Sequence, residues 1–223
     1  MNENKIIQTQ DGSHSIFSQK FGESYHSKYG AIRESMHVFI EAGLYPMAIQ
    51  QKSISILEVG FGTGLNAFLT FLEAEKRQLS VFYEGIEAYP LSFEQAKSLN
   101  YPLQLGATEQ TAVFEKIHEL SWETTHSLSD SFKIKKSQLL FEDISYKDKF
   151  DLIFFDAFAP NAQPELWDIP VLSKMYDALL GGGVLVTYCA KGIVKRRFKS
   201  LGFKVEALPG PPGKREMTKC IKL

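Results

Sequence analysis

A glycine-rich segment carries the most specific arrangement of potentially functional residues in this sequence. It reads EVGFGTG from Glu58 to Gly64 and stands between a short apolar run and a helical pattern of apolar residues. Glycines at a strand-to-helix turn allow a tight backbone and let a ligand lie directly against it. The segment therefore predicts a ligand site, and the alternative is a glycine-rich turn with a purely structural role.

The spacing of the glycines distinguishes between two kinds of nucleotide ligand. The dinucleotide fingerprint G-x-G-x-x-G requires a small residue where this chain has Leu65, which disfavours a dehydrogenase. G-x-G-x-G after an acidic residue is instead typical of sheets that bind S-adenosyl-L-methionine. The predicted cofactor-binding residues of this segment are Glu58, Gly60, Gly62, Gly64 and Asn66.

Two more acidic residues follow later predicted strands. Glu87 ends the second strand, where a carboxylate can accept hydrogen bonds from both ribose hydroxyls. Asp143 follows a predicted strand at 138–141 and could receive the adenine amino group. The alternatives are an exposed strand-end acid for Glu87 and a helix N-cap for Asp143. Acids after three successive strands suit a cationic sulfonium ligand better than an anionic dinucleotide.

Asp156 is the predicted catalytic residue. It ends the apolar strand FDLIFFD and is followed by Phe158 and Pro160, an arrangement similar to the acid–aromatic signature of nitrogen methyltransferases. The alternative is an Asp that caps the next helix. An Asp has a pKa of about 4 and an alkylamine about 10. We therefore expect Asp156 to orient an amine and stabilise the resulting ammonium rather than remove a proton. Phe158 would stack on a base or pack in the core.

The elements that position these residues alternate between strands and helices. Predicted strands cover 55–59, 81–87, 131–136, 138–141, 150–156, 184–188, 203–207 and 214–222. Predicted helices cover 31–42, 65–76, 91–99, 107–120, 164–180 and 194–201, and the first twenty residues could form a hairpin. This alternation predicts an α/β fold whose parallel sheet is covered by helices on both faces.

Composition excludes several classes of protein. The 223 residues are 44% apolar and carry 25 basic and 26 acidic side chains, which is typical of a globular chain and not of a disordered one. The sequence contains neither an 18-residue apolar run nor a signal-peptide pattern, so we expect a cytoplasmic protein without a membrane span. Cys189 and Cys220 alone form neither a disulfide framework nor a zinc site, and no metal is expected.

Charge is distributed unevenly along the chain. Residues 191–223 contain ten basic and two acidic side chains, a net charge of +8, whereas the remainder has a net charge of −9. A basic face of this kind predicts contact with a phosphate backbone, unless the helix and strand simply face water. The candidate phosphate-binding residues are Lys195, Arg196, Arg197, Lys214 and Arg215.

Five segments in this order resemble one family, the methyltransferase part of the bacterial tRNA 5-methylaminomethyl-2-thiouridine biosynthesis protein MnmC. They are ILEVGFGTGLNAFLTF, YEGIEAYPLS, FDLIFFDAFAPNAQPELWD, GGGVLVTYCAKGIVKRRFKSLGFKV and GKREM. The segment GAIRESMHVFIEAGL is similar to that family's N-terminal entry segment, so the resemblance extends from about Phe17 to the C-terminus.

The resemblance implies a fold and an activity. The fold is a class I, Rossmann-like methyltransferase sheet, mostly parallel with an antiparallel last strand. Residues 1–50 would be an extension packed on or over the active site, and 51–223 the methyltransferase domain, together one compact domain. The activity is methyl transfer from S-adenosyl-L-methionine to the 5-aminomethyl group of a (2-thio)uridine at the tRNA wobble position. Phe158 and Pro160 would contact the substrate. The implied partners are the tRNA anticodon stem-loop and the enzymes that modify the same uridine earlier.

Two departures from the family qualify these expectations. The chain has no room for the family's flavin-dependent oxidase domain, so no FAD is expected and the substrate would be an aminomethyl uridine made directly by upstream enzymes. Ala157 replaces a frequent glycine, with little expected effect. A spermidine-synthase-like aminopropyltransferase is the alternative function, and the basic C-terminal segment argues against it. Trp167 is expected in the core rather than under a base, and His26 and His37 are given no role.

Overall fold

Strands form a small N-terminal sheet and a large central sheet in the computed structural model, which describes residues 4–223. The small sheet contains β1 (Lys5–Gln8), β2 (His14–Ser18) and β3 (Glu23–Ser24). The central sheet contains β4 (Ser53–Val59), β5 (Ser80–Ile86), β6 (Thr125–Ser127), β7 (Phe132–Ser137), β8 (Phe150–Phe155), β9 (Leu179–Thr187), β10 (Phe203–Pro209) and β11 (Glu216–Lys222).

The central sheet has the strand order β10-β11-β9-β8-β4-β5-β7-β6. The inner strands β9, β8, β4, β5 and β7 are mutually parallel, and the last strand, β11, runs antiparallel between β10 and β9. This order confirms the predicted sheet. Because ligands of open α/β sheets bind at the carboxyl ends of parallel strands, β4, β5 and β8 direct their following loops toward one site.

Helices connect most of these strands. A continuous helical segment begins as α1 (Ala31–Ser35), widens into a π-helix (Met36–Leu44) and ends as α2 (Tyr45–Gln50). The π-helix ends at Leu44, and Pro46, which has no N–H, stands in the first turn of α2. The other α-helices are α3 (Leu65–Arg77), α4 (Phe93–Lys97), α5 (Tyr101–Gln104), α6 (Thr111–Glu119), α7 (Ile169–Ala178) and α8 (Gly192–Ser200). Short 3-10 helices cover Thr108–Gln110, Phe141–Asp143 and Pro164–Trp167.

Alternating side chains of the sheet build one apolar core on each face. Along β8, Leu152 and Phe154 pack with the helical segment 31–50, α3 and α6. Their neighbours Ile153 and Phe155 point to the opposite face and pack with α7 and α8. This alternation of buried residues is typical of a parallel sheet with both faces covered, and it confirms the prediction of helices on both sides.

The predicted strand at 138–141 is wrong. β7 ends at Ser137, and the chain leaves the sheet and turns through the 3-10 helix Phe141–Asp143. The apolar residues behind that prediction serve other contacts, because Phe141 packs in the core beside α7 and Leu140 remains 43% exposed. A short apolar run does not by itself distinguish a strand from a turn with buried side chains.

The predicted helix at 164–180 is two helices, and the glycines after it do not terminate it. A 3-10 helix ends at Trp167, and α7 starts only after Asp168. The run Gly181–Gly183 lies inside β9, next to an irregular register between β8 and β9. Glycine inside a strand commonly accompanies such a bulge, so the same residues that stop helices here allow the strand to bend.

Candidate functional site

A cavity of about 630 Å³ lies at the carboxyl ends of β4, β5 and β8. Its floor is the glycine-rich loop, its acidic side chains include Glu87 and Asp156, and its far wall contains Tyr188 at the end of β9. Residues 23–28, together with Phe21, line the opposite side. Part of the N-terminal segment, residues 4–50, therefore forms one side of the cavity at the strand ends of the central sheet.

The glycine-rich loop after β4 lies in close contact with the backbone at the end of β8. Gly60 has a φ of 94°, and a side chain there would come within 2.5 Å of the carbonyl oxygen of Asp156. Gly62 has a φ of 48° and faces Tyr25 across the cavity. Gly64 does not line the cavity and instead packs beneath it against His118. The three glycines thus let Asp156, Tyr25 and His118 pack closely against the loop, and Gly60 and Gly62 also line the cavity.

Asn66, in the first turn of α3, links two carboxylates. Its Nδ2 donates hydrogen bonds of 2.9 Å to Glu58 Oε1 and of 2.9 Å to Asp156 Oδ2. Glu58 is fully buried, and Glu58 Oε2 and Asn66 Oδ1 are without partners among residues 4–223. The amide therefore fixes the orientation of Asp156 from below. Asn66 lines the cavity, whereas Glu58, a predicted cofactor-binding residue, does not.

Glu87 holds the glycine loop as well as facing the cavity. Its Oε2 accepts a hydrogen bond from the Gly62 N–H at 3.0 Å, and its Oε1 accepts one from the Tyr89 N–H at 2.9 Å. Asp143, in contrast, is exposed in its 3-10 turn and does not line the cavity. Its neighbour Glu142 does line it. The structure therefore does not bring Asp143 to this site, because the strand expected to deliver it does not form.

Burial makes the carboxylates of the site unusually basic. Desolvation, with a contribution from Glu34, raises the pKa of Asp156 to about 7. Burial also raises the pKa of Glu87, and that of Glu58 well above its usual range. The sequence-based gap of about six pKa units between Asp156 and an amine thus narrows to about three. A buried acidic cavity of this kind favours a cation, which would stabilise the ionised carboxylates.

Aromatic side chains form one wall of the cavity. The Phe158 ring lies 4.8 Å from that of Phe21 and 4.9 Å from that of Tyr25, between ring centroids. Trp167 is fully buried, and its Nε1 donates to the Phe158 carbonyl oxygen at 2.7 Å, so it supports this wall from the core. Pro160 does not line the cavity. An aromatic wall above a carboxylate is suited to a flat base that carries a basic group.

His26 and His37 are each held by a hydrogen bond to another part of the chain. His26 lines the cavity, hydrogen bonds through Nδ1 to Ser15 Oγ at 3.1 Å, and has a pKa lowered by burial to about 4. His37 Nε2 hydrogen bonds to the carbonyl oxygen of Pro209 at 2.8 Å. Both histidines connect the N-terminal segment to its surroundings.

Three of the five predicted phosphate-binding residues already have acidic partners. Lys195 pairs with Glu216 at 2.7 Å, Arg197 with Asp168 at 2.5 Å and Lys214 with Glu34 at 2.6 Å. Arg197 also donates to the carbonyl oxygen of Trp167 at 3.1 Å. The side chains of Arg196 and Arg215 are exposed and form no hydrogen bond or ion pair with other residues in the described range 4–223. The structure thus separates two free cations from three that serve internal contacts.

Within residues 4–223, no group of three or more His, Cys, Asp and Glu side chains is arranged to hold a metal ion. The helices of the same residues include none with the length and apolar character needed to cross a membrane.

Comparisons with known proteins agree with this geometry. The family described as S-adenosyl-L-methionine-dependent methyltransferase matches residues 110–223, about half of the chain. Two curated relatives are called tRNA 5-methylaminomethyl-2-thiouridine biosynthesis bifunctional protein MnmC. The relative from Leptospira interrogans is 30% identical over 90% of this chain and 32% of its own length. The one from Idiomarina loihiensis is 30% identical over 97% of this chain and 38% of its own. The chain therefore spans about a third of the length of these relatives.

Solved structures show the same relationship. The structure of MNMC2 from Aquifex aeolicus is 27% identical, with a TM-score of 0.78 over 99% of this chain and 70% of that one. A spermidine synthase from Thermotoga maritima is 15% identical, with a TM-score of 0.54 over 100% of this chain and 73% of that one. At that identity the second similarity establishes a shared fold and nothing about the reaction.

Proposed function

The chain belongs to the S-adenosyl-L-methionine-dependent methyltransferase family, and on that premise we propose that it methylates a 5-aminomethyl (2-thio)uridine at the wobble position of tRNA. The product is the 5-methylaminomethyl nucleoside. The observation that carries the proposal is Asp156, fixed by Asn66 between the glycine loop and the Phe158 wall. The printed names of the curated relatives support the choice of substrate.

The residues at the strand ends fit S-adenosyl-L-methionine. Gly60 and Gly62 line the cavity, and the Asp156 carbonyl oxygen and the Tyr25 ring occupy the space of their missing side chains. The Glu87 carboxylate also lines the cavity and would accept hydrogen bonds from ribose hydroxyls. Asp156 lines the cavity and, when ionised, would provide the negative charge that a sulfonium requires, whereas Glu58 is bound to Asn66 and does not line it. When bound, this ligand supplies a methyl group on a positively charged sulfur, which is already activated for displacement.

Asp156 and its surroundings would perform the protein's part of the reaction. The substrate amine first loses one proton to solvent. The Asp156 carboxylate then accepts a hydrogen bond from the neutral amine and aims its lone pair at the methyl carbon, and it stabilises the ammonium that forms as the carbon–sulfur bond breaks. Asn66 holds that carboxylate in place. Phe158 and Tyr25 stack against a uracil turned out of the anticodon loop, and the N-terminal segment keeps water from the site.

The rest of the tRNA would contact the basic C-terminal segment. Arg196 and Arg215 are exposed on this segment and free to bind anticodon-stem phosphates. The substrate would come from the enzymes that install the aminomethyl group, and we propose that this chain acts after them in the cytoplasm. Neither FAD nor a metal ion is needed for this transfer.

Nucleoside analysis of tRNA tests the proposal. tRNA from a strain that lacks this gene is incubated with the protein and S-adenosyl-L-methionine, and its nucleosides are then separated and weighed. We expect 5-aminomethyl (2-thio)uridine to gain the mass of one methyl group, and Asp156→Ala protein to convert it far more slowly. Unchanged wobble nucleosides would disprove the proposal. Formation of spermidine from putrescine and decarboxylated S-adenosylmethionine would instead identify an aminopropyltransferase.

A further inference from the structure

An ion pair inside the cavity joins the two ends of the chain. Lys214 Nζ lies 2.6 Å from Glu34 Oε1, and both residues line the cavity. The side chain of Glu34 is only 9% exposed, that of Lys214 33%. This is therefore a largely desolvated pair that faces the site, unlike an ordinary ion pair on the protein surface.

The surroundings of this pair position it beside the proposed catalytic residue. Glu34 Oε2 accepts a hydrogen bond from the Ser27 N–H at 2.8 Å, which fixes the carboxylate. Lys214 Nζ lies 3.8 Å from the centroid of the Tyr188 ring. The Tyr188 hydroxyl in turn donates to the carbonyl oxygen of Ala157 at 2.7 Å, directly after Asp156. The lysine amine is thus held by a carboxylate and an aromatic face at the inner wall of the cavity.

The lysine amine matches the reacting group of the proposed substrate. Both are primary amines on a methylene carbon, and both are cationic near neutral pH. We propose that Lys214 Nζ occupies the subsite of the substrate's aminomethyl group, that this group displaces it, and that Glu34 and Tyr188 then bind the group beside Asp156. This inference rests on the proposed function and names the residues that select an amine-bearing uridine.

Exchange of the Lys214 amine for the substrate amine would keep a cationic partner beside Glu34. Removal of Lys214 alone would leave Glu34 as a buried, uncompensated carboxylate. An incoming aminomethyl group restores the charge balance at the same carboxylate. Lys214 sits next to the exposed Arg215 on the basic segment, so its released side chain is free to contact a phosphate. The Lys214 side chain would then have two positions, one paired with Glu34 and one in contact with tRNA.

Inhibition by a small nucleoside tests this assignment directly. We would measure the inhibition constant of free 5-aminomethyluridine against tRNA methylation, with 5-methyluridine as a comparator that lacks the amine. Lys214→Met keeps the apolar stem on Tyr188 and removes the competing amine. If the lysine occupies the subsite about nine-tenths of the time, this variant should bind 5-aminomethyluridine about tenfold more tightly. Glu34→Gln should bind it about ten- to a hundredfold more weakly, through loss of a charge-assisted contact.

A matched control lies outside the cavity. Lys222 pairs with Asp148 at 2.8 Å and stands 4.9 Å from the centroid of the Tyr176 ring, which is the same combination of acid and aromatic face. Lys222→Met should leave the inhibition constants of both nucleosides unchanged. 5-Methyluridine should inhibit all variants equally, and the affinity for S-adenosyl-L-methionine should change less than about twofold.

The outcomes separate this inference from the proposed function. If the wild-type protein methylates no aminomethyl uridine in tRNA, the proposed function fails. If it does so but neither variant changes the inhibition by 5-aminomethyluridine, the ion pair is only structural and the inference is overturned. Weaker S-adenosyl-L-methionine binding in Glu34→Gln would assign Glu34 to the cofactor and would also overturn it. If one variant does not fold, as judged by circular dichroism, the other decides alone.

Discussion

Asp156 combines a fixed position with a titrating charge. Its carboxylate is tied to Asn66, and burial raises its pKa to about 7, so the ligand-free group is ionised only in part at neutral pH. A bound sulfonium would draw it to the ionised form, which is the form that orients an amine and stabilises an ammonium. In the proposed reaction, the same residue would therefore connect cofactor binding with the chemistry of the acceptor.

Substitution of Asp156 should slow methyl transfer without removing cofactor binding. Asp156→Asn retains the shape and one acceptor oxygen but loses the negative charge, and Asp156→Ala loses both. A charge-assisted hydrogen bond is worth about 1.5–3 kcal/mol, or roughly ten- to a hundredfold in rate. We expect single-turnover methylation of tRNA to fall by that factor in Asp156→Asn and further in Asp156→Ala. Equal rates in wild type and Asp156→Ala would contradict this role.

The raised pKa of Asp156 also predicts a pH dependence of cofactor binding. Below about pH 7 the carboxyl group is protonated, and binding of a cation must displace that proton. The affinity for S-adenosyl-L-methionine should therefore rise with pH up to about 7, by at most about tenfold per unit, and then level off. Calorimetry on Asp156→Asn should show no rise near pH 7. S-adenosylhomocysteine, whose sulfur is neutral, is the ligand control and should show a weaker dependence.

Gly62 is required both for its backbone and for the space beside it. Its φ is 48°, and a β carbon there would lie 2.8 Å from Tyr25 Cδ1. Gly62→Val should therefore abolish measurable binding of S-adenosyl-L-methionine by calorimetry. Gly106 is the control, since its φ is 63° and nothing lies within 4 Å of the position of its β carbon. If Gly106→Ala lost binding to the same extent, backbone strain and not the crowded cavity would be responsible.

Among the elements, the turn between β1 and β2 serves as the N-terminal cap of the helical segment 31–50. Asp11 Oδ2 accepts a hydrogen bond from the Arg33 N–H at 3.0 Å, and Asp11 Oδ1 accepts one from the Ser13 N–H at 3.0 Å. Gly30 approaches so closely that a side chain there would collide with the Asp11 carboxylate. The hairpin is thereby attached to the helix that carries Glu34 into the cavity.

Loss of this cap should destabilise the protein by a small but measurable amount. Asp11→Ala should lower the free energy of unfolding by about 1 kcal/mol, which corresponds to roughly 2–4 °C in melting temperature. Hydrogen bonds lower the pKa of Asp11 against the opposing effect of burial, so its contribution is lost as the pH falls through that lowered pKa. Asp130→Ala, at an exposed turn position, should leave the melting temperature unchanged. Equal melting temperatures for Asp11→Ala and Asp130→Ala would contradict a stabilising role of the Asp11 cap.

At the scale of the whole molecule, charge is divided between a basic C-terminal segment, residues 191–223, and an acidic remainder of the chain. The unpaired side chains of Arg196 and Arg215 can displace counterions from tRNA, whereas Lys195 and Arg197 are paired with Glu216 and Asp168. We therefore expect Arg196→Ala with Arg215→Ala to reduce the dependence of log affinity on log salt concentration by about two phosphate equivalents. Filter binding of tRNA at several salt concentrations measures this slope.

A second pair of exposed lysines provides the control for that slope. Lys52 precedes β4 and Lys133 lies near the start of β7, so both are at the amino ends of the parallel strands, opposite the cavity. The double variant Lys52→Ala with Lys133→Ala removes the same charge from the end of the sheet opposite the cavity. It should leave the salt dependence of tRNA affinity unchanged. If both double variants reduced the slope equally, net charge and not a tRNA face would explain the binding.

Much of the cofactor half of the site follows from the sequence alone. The glycine loop and the acids Glu58, Glu87 and Asp156 each stand within a few residues of a buried strand. Parallel strands deliver their carboxyl ends to a single edge of the sheet, so local patterns are sufficient to bring these residues together. The order of most strands and helices likewise follows from periodicity. The exceptions are the run 138–141, which imitates a strand, the helix predicted at 164–180, which is two helices, and β6, which was not predicted.

The acceptor half was decided by tertiary structure. The pairing of Glu34 with Lys214, the link from Asn66 to Asp156 and the contact of Tyr25 with Gly62 join residues that are far apart in the chain. No local pattern encodes such contacts, because they depend on how the N-terminal segment and the basic segment meet over the sheet. The residue types of Asp143 and Arg197 suit their predicted roles, but tertiary structure decides otherwise. Asp143 lies outside the cavity, and Arg197 pairs with Asp168. Residue type sets what a side chain can do, and only its distance to partners and its burial determine what it does.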